Sequence, residues 1–227
     1  MKLPVSAPFR AQRPLQMTLP PMPWFVSSRT ILLFIFSLAN GKQMNDSTYK
    51  RKSHIEISNF YFVTATIHSW NHLLLSNDFK NIVLQSMQWL SEKGKWDVFA
   101  FVIMPNHIHF IMRTIEMNGK ETPMGSFLKY TAHEFKKMLL IKNDAEIARY
   151  RVRAANKQFE FWQRDSLAVH LYSPQVAYQK LNYIHMNPLA EHWQLATDPC
   201  DYFYSSARFY EQGIKQFSFL KDLRNEF

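Results

Sequence analysis

Two histidines stand two residues apart in the segment FVIMPNHIHFIM, at positions 107 and 109. Bulky apolar residues flank them, so residues 107 to 112 read as a β-strand. Alternate side chains of a strand share a face, so His107 and His109 project together while Ile108 goes to the other side. Two imidazoles on one face of a rigid strand make a divalent-metal site that lacks one or two ligands. Further along, in LNYIHMNP, Tyr183 and Asn187 lie four residues apart. On a helix that is one turn, which makes them candidates for a nucleophile and a third ligand facing the same way.

These residues need elements to hold them. Phe60 to Ile67 (FYFVTATI) is rich in β-branched and aromatic residues and reads as a strand. Asn77 or Asp78 is placed to cap a helix running to about Lys93, with Ile82, Val83, Met87 and Leu90 on its apolar face. Asp97 to Met104 is a second strand, and Pro105-Asn106 breaks the chain before the histidine strand, which runs from His107 to about Ile115. Thr122-Pro123 opens a helix that continues to about Ile141 and turns Phe127, Leu128, Phe135, Met138 and Leu139 toward a sheet. Residues 142–164 are charged and read as partly helical. Ser173-Pro174 repeats the cap-then-proline pattern and opens the helix bearing Tyr183. The order strand–helix–strand–strand–helix predicts an α/β (α+β) fold, a ferredoxin-like sandwich with helices on one face of an antiparallel sheet.

On the last helix Val176, Lys180, Tyr183 and Asn187 fall within about 60° of one another, whereas Ala177, Leu181 and Ile184 form a separate stripe suited to burial. His185 points nearly opposite to Tyr183 and is not assigned to the metal. Each of these residues has a plainer role open to it. Tyr183 is equally a packing residue, Asn187 a helix end ahead of Pro188, and Lys180 a solvated surface lysine. His133, near Tyr130 and Glu134, is a competing cluster without a second ligand on a strand.

The chain has 227 residues, enough for one well-packed domain and an additional segment. Net charge is +9, which favours a polyanionic partner such as nucleic acid. Residues 1–43 hold five Lys/Arg and no Asp/Glu, so the remaining residues carry only +4. Six of the eleven prolines also fall in 1–43, ahead of a short apolar run from Ile31 to Ala39. That run is too short to span a bilayer, and no stable membrane association is expected. The expectation is an extension without a fold of its own over 1–43, with Met44 as the natural first residue, and a single domain over 44–227. One cysteine, Cys200, excludes an intrachain disulfide framework and suits a reducing cytoplasm.

Basic residues concentrate between Lys120 and Arg164, with ten Lys/Arg against five Asp/Glu. Arg149, Arg151, Arg153, Lys157 and Arg164 are candidates for phosphate contacts, and Phe159, Phe161 and Trp162 for stacking on unpaired bases. A solvated charged face over core aromatics accounts for the same pattern.

Three motifs in order, PNHIHFIM, FWQRD (Phe161 to Asp165) and YIHMNP, resemble the REP-associated tyrosine transposases of the single-tyrosine HUH transposase superfamily. The resemblance runs from about Asn59 to Trp193. It implies the ferredoxin-like fold with both histidines on a central strand, Mg²⁺ or Mn²⁺ bound by His107 and His109, and Tyr183 as nucleophile. Asn187 takes the place of the polar third ligand, where relatives often have Gln. Lys180 is then placed for a phosphate contact. The implied activity is cleavage and rejoining of single-stranded, hairpin-forming DNA through a 5′-phosphotyrosine, by a monomer or homodimer. Two other readings remain, a non-catalytic DNA-binding protein of the same fold and a metal-free RNA-binding module.

Overall fold

The computed structural model describes residues 55–142, 145–154, 157–164 and 166–227. The extension expected over 1–43 and the proposed start at Met44 lie outside the described residues, as does Asp165.

Three strands form as their composition predicts: β1 (Phe60–Thr66), β2 (Trp96–Ile103) and β3 (His107–Thr114). A fourth, β6 (Leu167–His170), was not read from the sequence; it is four residues long and only half-buried. It pairs antiparallel with the outer edge of β1 and completes a four-stranded sheet of order β2-β3-β1-β6. Every pairing is antiparallel, and β1 aligns Thr66 with His107 and Thr64 with His109. This is the ferredoxin-like arrangement.

Helix α1 (Asn77–Glu92) starts one residue earlier than the expected caps, because the Ser76 hydroxyl accepts from the Asp78 N–H. Its expected apolar face, Ile82, Val83, Met87 and Leu90, is buried. Helix α2 (Pro123–Ile141) has the Thr122 cap and the leading proline. Its Phe127 packs against Trp96 and Phe110, so α1 and α2 cover the Ile108/Phe110 face of β3.

Helix α3 (Pro174–Met186) begins at the Ser173 cap and lies on the opposite face, the one carrying the histidines. The expectation of helices on one face therefore holds for α1 and α2, and α3 departs from it. Ala177, Leu181 and Ile184 are buried against the sheet, where Leu181 and Ile184 contribute about 2 kcal/mol each. That burial holds in place a 13-residue helix that would be marginal in isolation.

The partial helix expected over 142–164 is met, among the described residues, by one short 3₁₀ segment, and strands follow it. A 3₁₀ turn (Ala145–Tyr150) leads into a two-stranded hairpin, β4 (Arg151–Ala154) and β5 (Lys157–Phe159). Exposure alternates along Arg-Val-Arg-Ala, the period of a strand. Past Ala190 the chain runs to the free edge of β2 through a short helix, α4 (Ala207–Gln212). Ser205 and Leu220 form bridges to Val102 and Val98, which closes that edge.

Candidate active site

His107 and His109 share one face of β3, with ring centroids 4.6 Å apart. Both are buried, at 8% and 6% exposure. Each ring is oriented through Nδ1. The Asn106 side-chain oxygen lies 2.6 Å from His107 Nδ1 and can only accept, so that nitrogen carries the proton and Nε2 is left bare. Thr64 Oγ1 lies 2.8 Å from His109 Nδ1, and the same tautomer results when Nδ1–H donates to it. Burial drives both rings toward the neutral form. It lowers the His107 pKa to about 4, with a further push from His192, and holds that of His109 well below the ordinary imidazole range, with His107 and Lys180 adding to the effect. Neutral imidazoles with Nδ1 held by a neighbour and Nε2 deprotonated are the form a metal ligand takes.

Helix α3 brings the second half of the site. Tyr183 Oη is 3.5 Å from His109 Nε2, the rings lie 5.2 Å apart, and Phe62 packs edge-on to the phenol. Tyr183 remains about one-third exposed, so a ligand can reach it. Burial raises the Tyr183 pKa, partly offset by the Asn187 amide, so the phenol needs activation. Asn187 is buried, and its side chain lies within hydrogen-bonding reach of both His107 and Tyr183. The residue before a proline normally leaves helical geometry, yet Asn187 keeps φ −57° and ψ −42° ahead of Pro188. That conformation holds its amide in line with Tyr183, one turn on. Lys180 sits one turn earlier, its ammonium 5.0 Å from the Phe62 ring and 5.7 Å from the Tyr183 ring. Desolvation lowers its pKa.

Among the described residues no group of three His, Cys, Asp or Glu is arranged to hold a metal. The candidate donors are therefore two imidazole nitrogens and one amide, and among the described residues no carboxylate joins them. Such a set fits a divalent ion that completes its shell with water and phosphate oxygens, Mn²⁺ more readily than Mg²⁺.

The other sequence candidates fall elsewhere. His185 is buried with Nε2 2.9 Å from the Ser206 hydroxyl, away from the histidine pair. His133 is exposed on α2, across the sheet from His107. Trp162 is a correction: it is 6% exposed, its indole N–H donates to Thr131 at 2.9 Å, and it packs on Phe127 and Phe135. It belongs to the core and offers no stacking face, and Phe161 is buried against Tyr150 in the same way. Around Trp162 the Phe161–Gln163 stretch extends the sheet, with His68 N–H donating to the Phe161 carbonyl and Gln163 N–H to that of Thr66. Lys157 and Arg164 both pair with Glu160, at 2.9 and 3.2 Å, which offsets much of their charge. Arg149, Arg151 and Arg153 remain exposed.

Thr64 and Asn106 were not singled out from the sequence. Asn106 had a signal, its place next to His107; Thr64 had none, since only the β1–β3 register places it beside His109. Two tryptophans were also missed. Trp70 and Trp193 flank His107 at ring distances of 6.4 and 6.0 Å. The Trp70 loop is strained: Ser69 and Trp70 have φ of 54° and 58°, at a cost of about 1–2 kcal/mol each.

Fold and site define a class of protein, a ferredoxin-like sandwich with a histidine pair on an inner strand facing a tyrosine on a helix. Among solved structures, one with this fold is a REP-associated tyrosine transposase bound to a REP hairpin. It is 17% identical to this chain with a TM-score of 0.52, over 78% of this chain and 93% of that one. A second similar structure, a candidate transposase from Deinococcus radiodurans R1, is 12% identical with a TM-score of 0.36, over 60% of this chain and 95% of that one. No protein-family model matches the chain, and no curated protein matches it. No helix among the described residues is long and apolar enough to cross a membrane.

Proposed function

We propose that this chain is a single-tyrosine transposase of the REP-associated type, which cuts and rejoins single-stranded DNA with Tyr183 as nucleophile. The observation that carries the proposal is the placement of the Tyr183 hydroxyl 3.5 Å from His109 Nε2, on the sheet face where both histidines are held neutral. The shared fold with a hairpin-bound transposase supports it.

Tyr183 Oη attacks the phosphorus in line with the leaving 3′-oxygen. The P–O3′ bond breaks, a 5′-phosphotyrosine forms, the tyrosyl proton passes to solvent and the 3′-oxygen takes up a proton. The link keeps the energy of the phosphodiester, so attack by another 3′-hydroxyl rejoins the strand without ATP. Lys180 stands where it stabilises the developing phenolate charge or a phosphate oxygen. His107, His109 and Asn187 would hold Mn²⁺ or Mg²⁺. Once bound, such an ion neutralises the phosphate and orients the scissile bond, an effect worth several kcal/mol. Phosphate contacts outside the site fall to the exposed Arg149, Arg151 and Arg153, and the proposed setting is the cytoplasm.

The test separates chemistry from binding. His107→Ala with His109→Ala should abolish cleavage of a single-stranded hairpin oligonucleotide in Mn²⁺ while leaving its affinity nearly unchanged. Equal loss of binding would show that the histidines hold the fold or contact DNA directly, and would contradict the proposal.

A further inference from the structure

We infer that Trp70, which with Trp193 packs on His107, forms a stacking subsite for one unpaired nucleobase next to the scissile phosphate. The inference rests on the transposase reading and adds a contact with the substrate base.

The loop that follows β1 carries the case. His68–Asn71 is a tight turn in which Asn71 N–H donates to the His68 carbonyl at 3.2 Å, with both central residues, Ser69 and Trp70, left-handed. Turns of that kind are dominated by Gly, Asn and Asp, which enter the left-handed region at low cost. Here a serine and a bulky tryptophan are held in it by several bonds. Trp70 N–H donates to the Ile67 carbonyl at 2.9 Å, and the Asn71 side chain bonds the His68 carbonyl at 2.8 Å. Backbone strain of this sort persists where a side chain has to be aimed.

What the strain aims is an indole left about half exposed, 6.4 Å from the His107 ring. Asn106 ties the two together. Its Oδ1 faces His107 Nδ1 at 2.6 Å while its Nδ2 donates to the Trp70 carbonyl at 3.4 Å. The residue that orients the proposed ligand histidine therefore also fixes the tryptophan. Trp193 also packs on His107, at 6.0 Å, and the next residue, Gln194, is again left-handed at φ 45°. Three of the four non-glycine residues with positive φ among the described residues thus lie in the two loops that bracket His107.

A phosphate held at Nε2 of the histidines brings its own nucleoside within reach of a ring one imidazole away. Bases in a duplex already stack on one another, whereas an unpaired base has a free π-face that an exposed indole satisfies, with little regard to sequence.

The test uses the full chain without added metal, so that no strand is cut. Two probes are compared, a short fluorescent oligothymidylate and an abasic strand of the same length. The wild type should bind the thymine strand more tightly. Trp70→Ala and Trp70→Leu should each reduce that preference about tenfold and leave abasic binding unchanged, because leucine replaces bulk without a π-face. Trp70→Phe should restore most of the preference. An unchanged preference in the Ala and Leu variants overturns the subsite, as does equal weakening for both probes, which would mark a role in the backbone or the fold. Failure of the wild type to bind either probe overturns the transposase reading and this inference with it. A wild type that binds DNA while the Trp70 variants keep full preference removes this inference alone.

Discussion

The side chains that prepare the histidines matter as much as the histidines themselves. Asn106 and Thr64 hold the two Nδ1 atoms and so decide which nitrogen of each ring is left unprotonated. Truncating either one frees its ring to turn or change tautomer. Asn106→Ala and Thr64→Ala should each weaken Mn²⁺ affinity by about 10–100-fold, measured by titration calorimetry. Unchanged affinity in both variants would show that the rings are positioned by packing alone, as by Phe62 stacked on His109. Tyr183 and Asn187 follow the same logic on a helix, where each side chain points by virtue of the turn it occupies. Of the whole constellation, the two histidines, the tyrosine and the amide were legible as spacing: two residues on a strand, four on a helix. Their supporting residues belong to other segments, and which ones meet is decided by tertiary register. A threonine on β1 is unremarkable until β1 is known to align residue 64 with residue 109.

Elements were legible in proportion to the strength of their apolar pattern. β1, β2 and β3 carry runs of apolar, β-branched and aromatic residues and the long helices apolar residues at helical spacing, and their ends agree with expectation to within a residue or two. β6 is short and half-buried, so nothing in Leu-Ala-Val-His distinguishes it from a loop until its pairing with β1 is known. The hairpin at 151–159 was masked by charge, because exposed arginines at alternate positions resemble a solvated helix as much as an edge strand. Trp162 looked like a stacking residue because basic residues surround it in sequence, while its ring turns into the space between α2 and the sheet. Burial of α3 on the sheet has a pH signature through His185, whose pKa burial lowers to about 4 from an ordinary 6.5. The folded state therefore disfavours the protonated ring. The stabilisation is fully present above pH 6.5 and is lost as pH falls toward 4, by about 3 kcal/mol for this residue. Urea melts at pH 7.5 and 4.5 should show a pH-dependent loss that shrinks by roughly 2–3 kcal/mol in His185→Gln. An equal loss in wild type and variant would place the acid sensitivity elsewhere.

At the scale of the whole molecule, charge and chemistry are separable. The site is nearly without formal charge apart from Lys180, and the exposed arginines lie on the 3₁₀ turn and hairpin that follow α2. Reversal of Arg149, Arg151 and Arg153 to Glu should weaken single-stranded DNA binding and lower the slope of log affinity against log salt by about 2. Cleavage at saturating DNA should persist. A salt slope equal to that of the wild type would move the phosphate track to another face. The central claim is that Tyr183 makes the covalent bond, and one measurement reaches it directly. Wild-type protein is incubated with a single-stranded hairpin oligonucleotide and Mn²⁺, digested with protease and nuclease, and the peptides are mapped by mass spectrometry for a nucleotide remnant on tyrosine. The account predicts a phosphodiester-linked remnant on Tyr183 alone, and none in Tyr183→Phe. A remnant on Tyr130 or any other residue, or cleavage that proceeds undiminished in Tyr183→Phe, would contradict it.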